Sequence, residues 1–232
     1  MFLPLHDHNP IRHVQLPYVT WALIALTSLA HLMVWGDLVL GSQQAAAVSF
    51  GAIPSVHEGI SRLPARLDLL PPTAKLVTYA FIHGDWMHLA GNMLFLWVFG
   101  DNVEDAMGHV RFVLFYFACA AAGALMHILM FPTSDAPLIG ASGAVAGCVA
   151  AYLMLHPHVY VWALWLGRIP WPIKAIYMLG AWIGFQVFNI VFNIDDGVSW
   201  WAHVGGLIAG AVLVVILKRP GVPLFDRGTA PT

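Results

Sequence analysis

The chain is organised around one stretch, Pro137-Leu138-Ile139-Gly140-Ala141-Ser142-Gly143-Ala144-Val145-Ala146-Gly147. It places a single hydroxyl, that of Ser142, among glycines and alanines where a loop passes into an apolar helix. The first turn of a helix has unpaired backbone N–H groups and the positive end of the helix dipole, so negative charge is stabilised there. The stretch therefore predicts Ser142 as a nucleophile beside a place that suits an oxyanion.

The small residues of this stretch also have a structural interpretation. They recur at positions 142, 143, 146, 147, 150 and 151, a spacing that lets membrane helices pack closely together. Taken alone, a serine among glycines in an apolar run is more often a packing feature than a catalytic one. The rest of the chain has to decide between the two.

The composition is that of a membrane protein. Of the 232 residues, 59% are hydrophobic and only 9% are charged, with a mean hydropathy of +0.75, whereas about 25% of the residues in a soluble domain are charged. The net charge of −2 and the absence of a basic run argue against nucleic acid as a partner. Cys119 and Cys148 lie in apolar runs and are expected to be small buried hydrophobes. We expect a polytopic protein of the lipid bilayer, with no cofactor and no metal.

The apolar runs predict an all-α polytopic fold with six transmembrane helices. A span needs about 20 helical residues, and the six runs lie at about 16–40, 86–99, 112–131, 141–155, 172–194 and 200–217. The segment 41–85 contains prolines, charges and short amphipathic pieces, which predicts a long, partly helical outer loop at the membrane interface. The predicted organisation is an N-terminal segment 1–15 without a cleaved signal, a membrane domain 16–217 and a short tail 218–232.

The basic residues predict the orientation, because cytoplasmic loops carry an excess of Lys and Arg. The side of the termini carries Arg12, Arg111, Arg168, Lys174, Lys218, Arg219 and Arg227, and the opposite side carries Arg62, Arg66 and Lys75. Both termini are therefore expected in the cytoplasm. The N-terminal ends of spans two, four and six then lie at the outer face.

Strongly polar residues recur near those three outer ends, where they are costly and therefore functional candidates. His88 and Asn92 lie one helical turn apart on span two, Ser142 begins span four, and His203 lies near the start of span six. Glycine faces predict close contact of the last two helices; they are formed by Gly143 and Gly147 on span four and by Gly206 and Gly210 on span six. Such contact would bring His203 next to Ser142.

Three motifs then carry a specific resemblance. They are His83-Gly84-Asp85-Trp86-Met87-His88-Leu89-Ala90-Gly91-Asn92-Met93, Gly140-Ala141-Ser142-Gly143, and Ala202-His203-Val204-Gly205-Gly206-Leu207-Ile208-Ala209-Gly210. In their order and span assignment they resemble the signatures of the rhomboid family of intramembrane serine proteases, in its prokaryotic six-span form. The resemblance covers about residues 14–217 and implies a rhomboid-like membrane domain.

The resemblance implies roles for individual residues. It makes Ser142 the nucleophile and His203 its base, and it assigns the oxyanion hole to the side chains of His88 and Asn92, the Gly140 position and the backbone N–H of Ser142. It further implies a gating role for the loop 195–199 and a structural role for Glu104 and Gly108 at the cytoplasmic turn. The implied partners are single-span membrane proteins, and the implied location is a prokaryotic inner membrane, with the active site opening to the outer face.

The chemistry of the residues agrees with a Ser-His dyad. A serine hydroxyl needs a neighbouring base, and neutral histidine is suited to that role near pH 7. No carboxylate lies near enough in the pattern to complete a triad, since Asp195 and Asp196 fall in an outer turn. One position departs from some rhomboids, because Ala146 stands where an aromatic ring can stack on the histidine. Trp200 and Trp201 are the candidate substitutes.

Two other classes of protein stay open beside an intramembrane endopeptidase. A proteolytically inactive rhomboid-like protein that binds membrane clients would lack the nucleophile or the base, and both are present. A transporter would show an inverted repeat or charges on several spans. A zinc protease is disfavoured because His83 and His88 do not share a helical face and no His-Glu-x-x-His motif occurs.

Overall fold

The structure is a computed structural model that describes residues 2–165, 169–192 and 197–226. Its α-helices in chain order are α1 Tyr18–Trp35, α2 Gln43–Phe50, α3 Pro54–His57, α4 Pro72–Thr78, α5 Trp86–Phe95, α6 Asp101–Met107, α7 His109–Met130, α8 Ser142–Leu155, α9 Ala175–Val191 and α10 Trp200–Leu217. A 3₁₀ turn at Tyr79–Phe81 precedes α5, and a π-helical turn at Leu96–Gly100 joins α5 to α6. The strands are β1 Phe2–Asp7, β2 Tyr160–Trp165 and β3 Ile169–Lys174. Four charged residues used in the sequence predictions lie outside the described residues: Arg168, Asp195, Asp196 and Arg227.

The long helices fall where the apolar runs predict them. Helices α1, α7 and α10 are each long and apolar enough to cross a membrane, while α8 and α9 are apolar but shorter. Helix α8 has 14 residues, or about 21 Å at 1.5 Å per residue, against a hydrocarbon core of about 30 Å. A helix of this length is too short to cross the hydrocarbon core.

Helix α8 is buried in the core of the molecule and packs against α7 and α10, which also pack against each other. Every residue from Gly143 to Tyr152 is buried, and many of them are small. On its α10 side the backbones touch: a Cβ atom added to Gly206 would lie 2.8 Å from the carbonyl carbon of Gly143, and one added to Gly210 would lie 2.6 Å from the Cα of Gly147. Only glycine allows helices to approach this closely.

The prediction of an all-α fold is wrong at one end of the molecule, where β1, β2 and β3 form an antiparallel sheet in that order. Residues 172–174, predicted as the start of span five, belong to β3. Burial alternates along β2, since Val161 and Ala163 are fully buried and Tyr160 is exposed, which is the period of a strand. The sequence does not show this alternation, because every residue from 160 to 165 is apolar or aromatic. A short β-branched and aromatic run inside an apolar chain is easily mistaken for helix.

Buried carboxylates at the same end hold the N-terminal segment. Glu104 on α6 is fully buried and accepts the backbone N–H groups of Val19 and Thr20 at 3.0 and 2.7 Å, so it caps the first turn of α1. Asp105 accepts three successive N–H groups of residues 12–14 at 2.6 to 3.0 Å. The backbone N–H of Arg219 donates to Ala106 at 2.8 Å. The segments before α1 and after α10 therefore meet at α6.

The segment 41–85 folds against the loop that precedes α8. Ala52 and Leu138 exchange backbone hydrogen bonds of 3.1 and 2.8 Å, and the Ser55 hydroxyl donates to Asp135 at 2.5 Å. The hydroxyl of Ser61 also donates to Asp135, and together these bonds hold the pKa of this carboxyl below its usual value. The loop 135–141 is thus fixed before the helix that begins at Ser142.

Candidate active site

The first turns of α5, α8 and α10 meet at the end of the molecule opposite the sheet. His88 lies in the first turn of α5, Ser142 is the first residue of α8, and His203 lies in the first turn of α10. A Cβ atom built on Gly143 would lie 3.4 Å from the carbonyl oxygen of Ala202. The residues next to Ser142 and His203 along the chain are therefore in contact, and the two helix starts lie side by side.

Ser142 lies at the start of α8, where the first backbone N–H groups have no acceptor within the helix. It is half-buried, and the first intrahelical bond of α8 is that from Val145 N–H to the carbonyl of Ala141 at 3.0 Å. The N–H groups of the first residues of a helix have no acceptor one turn earlier. Negative charge near Ser142 would therefore be met by backbone N–H groups and by the helix dipole.

The two residues before Ser142 are held by hydrogen bonds. The backbone N–H of Gly140 donates to the carbonyl of Tyr79 at 3.0 Å. The backbone N–H of Ala141 donates to Nε2 of the buried His83 at 3.2 Å. Tyr79 is itself fixed, because its hydroxyl donates to the carbonyl of Ala120 at 2.8 Å. The approach of the chain to Ser142 is thus rigid.

His88 lies against Gly140. Asp85 caps α5 by accepting the backbone N–H of His88 at 2.8 Å, and this bond holds the pKa of the Asp85 carboxyl below its usual value. Gly140 has a φ of +109°, and a Cβ atom at this position would lie 2.5 Å from Nε2 of His88. The glycine is required both for the backbone conformation and for the space that the imidazole occupies.

Asn92 lies one turn further along α5 and is 7% exposed. Its Nδ2 donates to the carbonyl of His88 at 3.0 Å. An amide nitrogen has two protons, so this bond orients the side chain and leaves a second donor.

His203 is 6% exposed and lies among aromatic and amide side chains. The Trp182 ring of α9 stacks on it with centroids 5.9 Å apart and an interplanar angle of 28°, and the Trp200 ring meets its edge at 5.7 Å. Its Nδ1 is 2.7 Å from Oε1 of Gln186, also on α9. The position of Ala146 supplies no ring, but α9 and α10 do. Trp200, one of the two candidate substitutes, does contact the imidazole.

Sequence reasoning missed three residues that fix this site: Tyr79, His83 and Gln186. His83 is part of a quoted motif but received no role. Gln186 lies in the apolar run of span five, and the rule that strongly polar residues inside a membrane are functional candidates would have found it. Tyr79 has no comparable signal, because its contacts are with backbone atoms distant in sequence.

Three histidine rings lie in contact beside the site. His31, His83 and His88 form a chain of ring contacts, with centroids 6.4 and 5.0 Å apart. Across residues 2–165, 169–192 and 197–226, no three His, Cys, Asp or Glu side chains are grouped as metal ligands.

The structure is that of a helical membrane protein. Its short, buried helix α8 begins with a serine, and glycines pack it against α10, which carries a histidine. The family model described as the Rhomboid domain matches residues 72–220. The chain therefore belongs to the rhomboid family and is an integral membrane protein, which confirms the resemblance seen in the three motifs.

Curated relatives carry the same family name. The chain is 34% identical to Rhomboid protease GluP of Bacillus subtilis (strain 168) over 66% of its length and 28% of the relative's. It is 29% identical to Rhomboid protein 1, mitochondrial, of Saccharomyces cerevisiae over 62% of its length and 42% of the relative's. It is also 29% identical to Rhomboid-like protease 3 of Toxoplasma gondii, over 62% of its length and 52% of the relative's. The chain thus matches about half or less of each of these proteins.

Proposed function

We propose that the protein is an intramembrane serine endopeptidase that cleaves single-span membrane proteins with a Ser142–His203 dyad. The observation that carries the proposal is the contact between the first turns of α8 and α10, where Gly143 meets the carbonyl of Ala202. A hydroxyl and a buried imidazole at adjacent helix starts form the minimal nucleophile and base. Membership of a family that includes named proteases supports the same reaction.

The reaction follows from the two groups. His203 Nε2 accepts the proton of the Ser142 hydroxyl as the serine oxygen attacks the scissile carbonyl carbon. The electrons of the carbonyl π bond move to the carbonyl oxygen, which becomes an oxyanion. The imidazolium then gives its proton to the departing amine as the C–N bond breaks, leaving an acyl-serine. Water then gives a proton to the same histidine as it attacks the ester carbonyl carbon. The imidazolium returns this proton to the Ser142 oxygen as the acyl–oxygen bond breaks, which releases the acid and restores the serine.

The oxyanion hole of this proposal consists of the Ser142 N–H, the His88 imidazole and the free Nδ2 proton of Asn92. Gly140 does not donate to the oxyanion in this proposal, because its own N–H donates to the carbonyl of Tyr79. Gly140 contributes space: it leaves His88 room to lie beside the nucleophile. Preorganised donors of this kind act strongly in a site that excludes bulk water.

The proposal includes the topology of the domain. Six spans, formed by α1, α5 with its π-helical turn, α7, α8, α9 and α10, place both termini in the cytoplasm of a prokaryotic cell and open the site outward. The segment 41–85 then lies at the outer interface. The excess of basic residues on the side of the termini supports this orientation, and the shortness of α8 lets water reach Ser142 below the outer surface.

Replacing Asn92 with alanine is expected to slow cleavage of a single-span substrate by about 10²-fold to 10³-fold, because one donor to the oxyanion is lost while the Ser142 N–H and His88 remain. The loss should be smaller than that caused by removing Ser142. The measurement is the initial rate of cleavage in detergent, at matched concentrations of folded protein. A loss equal to that of the Ser142 variant would assign Asn92 a structural role instead.

Covalent labelling with a fluorophosphonate tests the function itself, since the probe reacts with activated serines and needs no known substrate. The purified protein should be labelled, and Ser142→Ala and His203→Ala should not. Labelling that persists in Ser142→Ala would place the reactive group elsewhere. An unlabelled but folded wild-type protein would favour the alternative, a rhomboid-like protein that binds membrane clients without cleaving them.

A further inference from the structure

The geometry points to Gln186 as the positioning residue that fixes the tautomer and the orientation of His203, in the place that a carboxylate occupies in a catalytic triad. This inference rests on the proposed function, because the tautomer of His203 matters to catalysis only if the histidine serves Ser142. Gln186 lies on α9, 17 residues before His203, and is 1% exposed.

The amide of Gln186 has a defined direction. Its Nε2 donates to the backbone carbonyl of Trp182, one turn earlier, at 3.2 Å. A carbonyl can only accept, so the nitrogen must face Trp182 and the oxygen must face His203. The 2.7 Å contact between Oε1 and the imidazole is therefore made by an acceptor.

The direction of the amide determines where the proton of His203 lies. Since Oε1 of Gln186 can only accept, Nδ1 of the neutral imidazole must donate. The other nitrogen, Nε2, is then unprotonated and can accept the proton of the Ser142 hydroxyl. The backbone of α9 thus sets the protonation pattern of the base through one side chain.

The stacked ring of Trp182 completes the positioning. Trp182 and Gln186 are four residues apart on one face of α9, so the same helical turn supplies the ring that lies on the imidazole and the oxygen that binds its Nδ1. The two contacts restrict both rotations of the side chain. They supply from α9 the ring contact for which Ala146 on α8 is too small.

The chain offers a matched control on the same helix. Asn189 is 2% exposed and its Nδ2 donates to the carbonyl of Phe185 one turn earlier at 2.6 Å, as Gln186 does to Trp182. Its replacement by leucine removes a buried amide of the same kind from the same helix without touching the contact with Nδ1 of His203.

The test compares the rate of fluorophosphonate labelling in three variants. Gln186→Leu should be labelled about 10-fold to 100-fold more slowly than the wild type, because the Nδ1 donor is left buried without its acceptor. Gln186→Glu keeps an acceptor oxygen at this place and should recover most of the rate. Asn189→Leu should be labelled at a rate within about twofold of the wild type. Equal rates for Gln186→Leu and Asn189→Leu would overturn the inference.

A spectroscopic measurement reads the tautomer directly. In ¹⁵N spectra of histidine-labelled wild-type protein, the signals that disappear in His203→Ala should show a protonated Nδ1 and an unprotonated Nε2. A proton on Nε2 would overturn the inference even if Gln186→Leu labels slowly or does not fold. If the wild-type protein is not labelled by the phosphonate at all, the proposed function fails, and the ¹⁵N signals still decide whether Gln186 sets the tautomer.

Discussion

Ser142→Ala and His203→Ala are each expected to lower the rate of cleavage of a single-span substrate by at least about 10⁴-fold. A nucleophile and its base act as one unit, so the loss of either removes nearly the whole contribution of the pair. Ser142→Ala should fold normally, because alanine is favourable in a helix and the serine is only half-buried. The measurement is the initial rate of cleavage in reconstituted membranes, with melting temperatures recorded for each variant.

A second serine and histidine make the prediction specific. The hydroxyl of Ser199 and Nδ1 of His127 are 2.6 Å apart just before α10 begins. This pair also joins a serine to an imidazole, which here is half-buried, but it is not at the start of α8. Ser199→Ala should therefore reduce cleavage by no more than roughly tenfold, the effect of one hydrogen bond. A loss in Ser199→Ala as large as that in Ser142→Ala would contradict the assignment of the dyad.

The sequence predicts much of the candidate site because two rules apply strongly to membrane helices. The cost of polar groups in lipid singles out His88, Asn92, Ser142 and His203, and the small-residue pattern predicts the contact of α8 with α10. Both rules use only spacing along one helix. The contact of α8 with α10 is confirmed, and the roles of the polar residues stay predictions.

The parts that escaped prediction depend on contacts between distant segments. The Gly140 N–H donates to a carbonyl 61 residues earlier in the chain, at Tyr79, and no local pattern encodes that pairing. The sheet escaped for a different reason: β1 pairs with β2 across more than 150 residues, and its partner strands are apolar enough to resemble the flanks of spans. Gln186 was visible as a polar residue, but its direction toward His203 depends on how α9 packs.

Gly206→Val is the substitution expected to damage folding and activity together. A Cβ atom at Gly206 would lie 2.8 Å from the carbonyl carbon and 3.3 Å from the Cα of Gly143, so the added group meets backbone rather than a side chain that can move. Overpacking in ordinary cores costs about 1–3 kcal/mol because side chains give way. Here α8 and α10 must separate, and the contacts along both glycine faces are lost with them.

The separation of α8 and α10 would also move His203 away from Ser142. Their chain neighbours, Ala202 and Gly143, are in contact with each other and would be pulled apart. We therefore expect Gly206→Val to lower the melting temperature, and the fraction that remains folded to cleave and to label far more slowly than the wild type. Thermal unfolding in detergent and the labelling rate per folded molecule measure the two effects separately. A loss of labelling in the folded fraction would mean that helix spacing, and not only stability, sets the reactivity of Ser142.

Gly184→Val is the matched control for this experiment. Gly184 lies on the apolar helix α9, and a Cβ atom there would meet nothing within 4 Å, so the same change in side chain and helix propensity occurs without a clash. It should unfold and label like the wild type to within a small gain in helix propensity of less than about 1 kcal/mol, because valine is a better helix former than glycine. If Gly206→Val matched Gly184→Val in stability and labelling, close backbone contact would not be what holds the base beside the nucleophile.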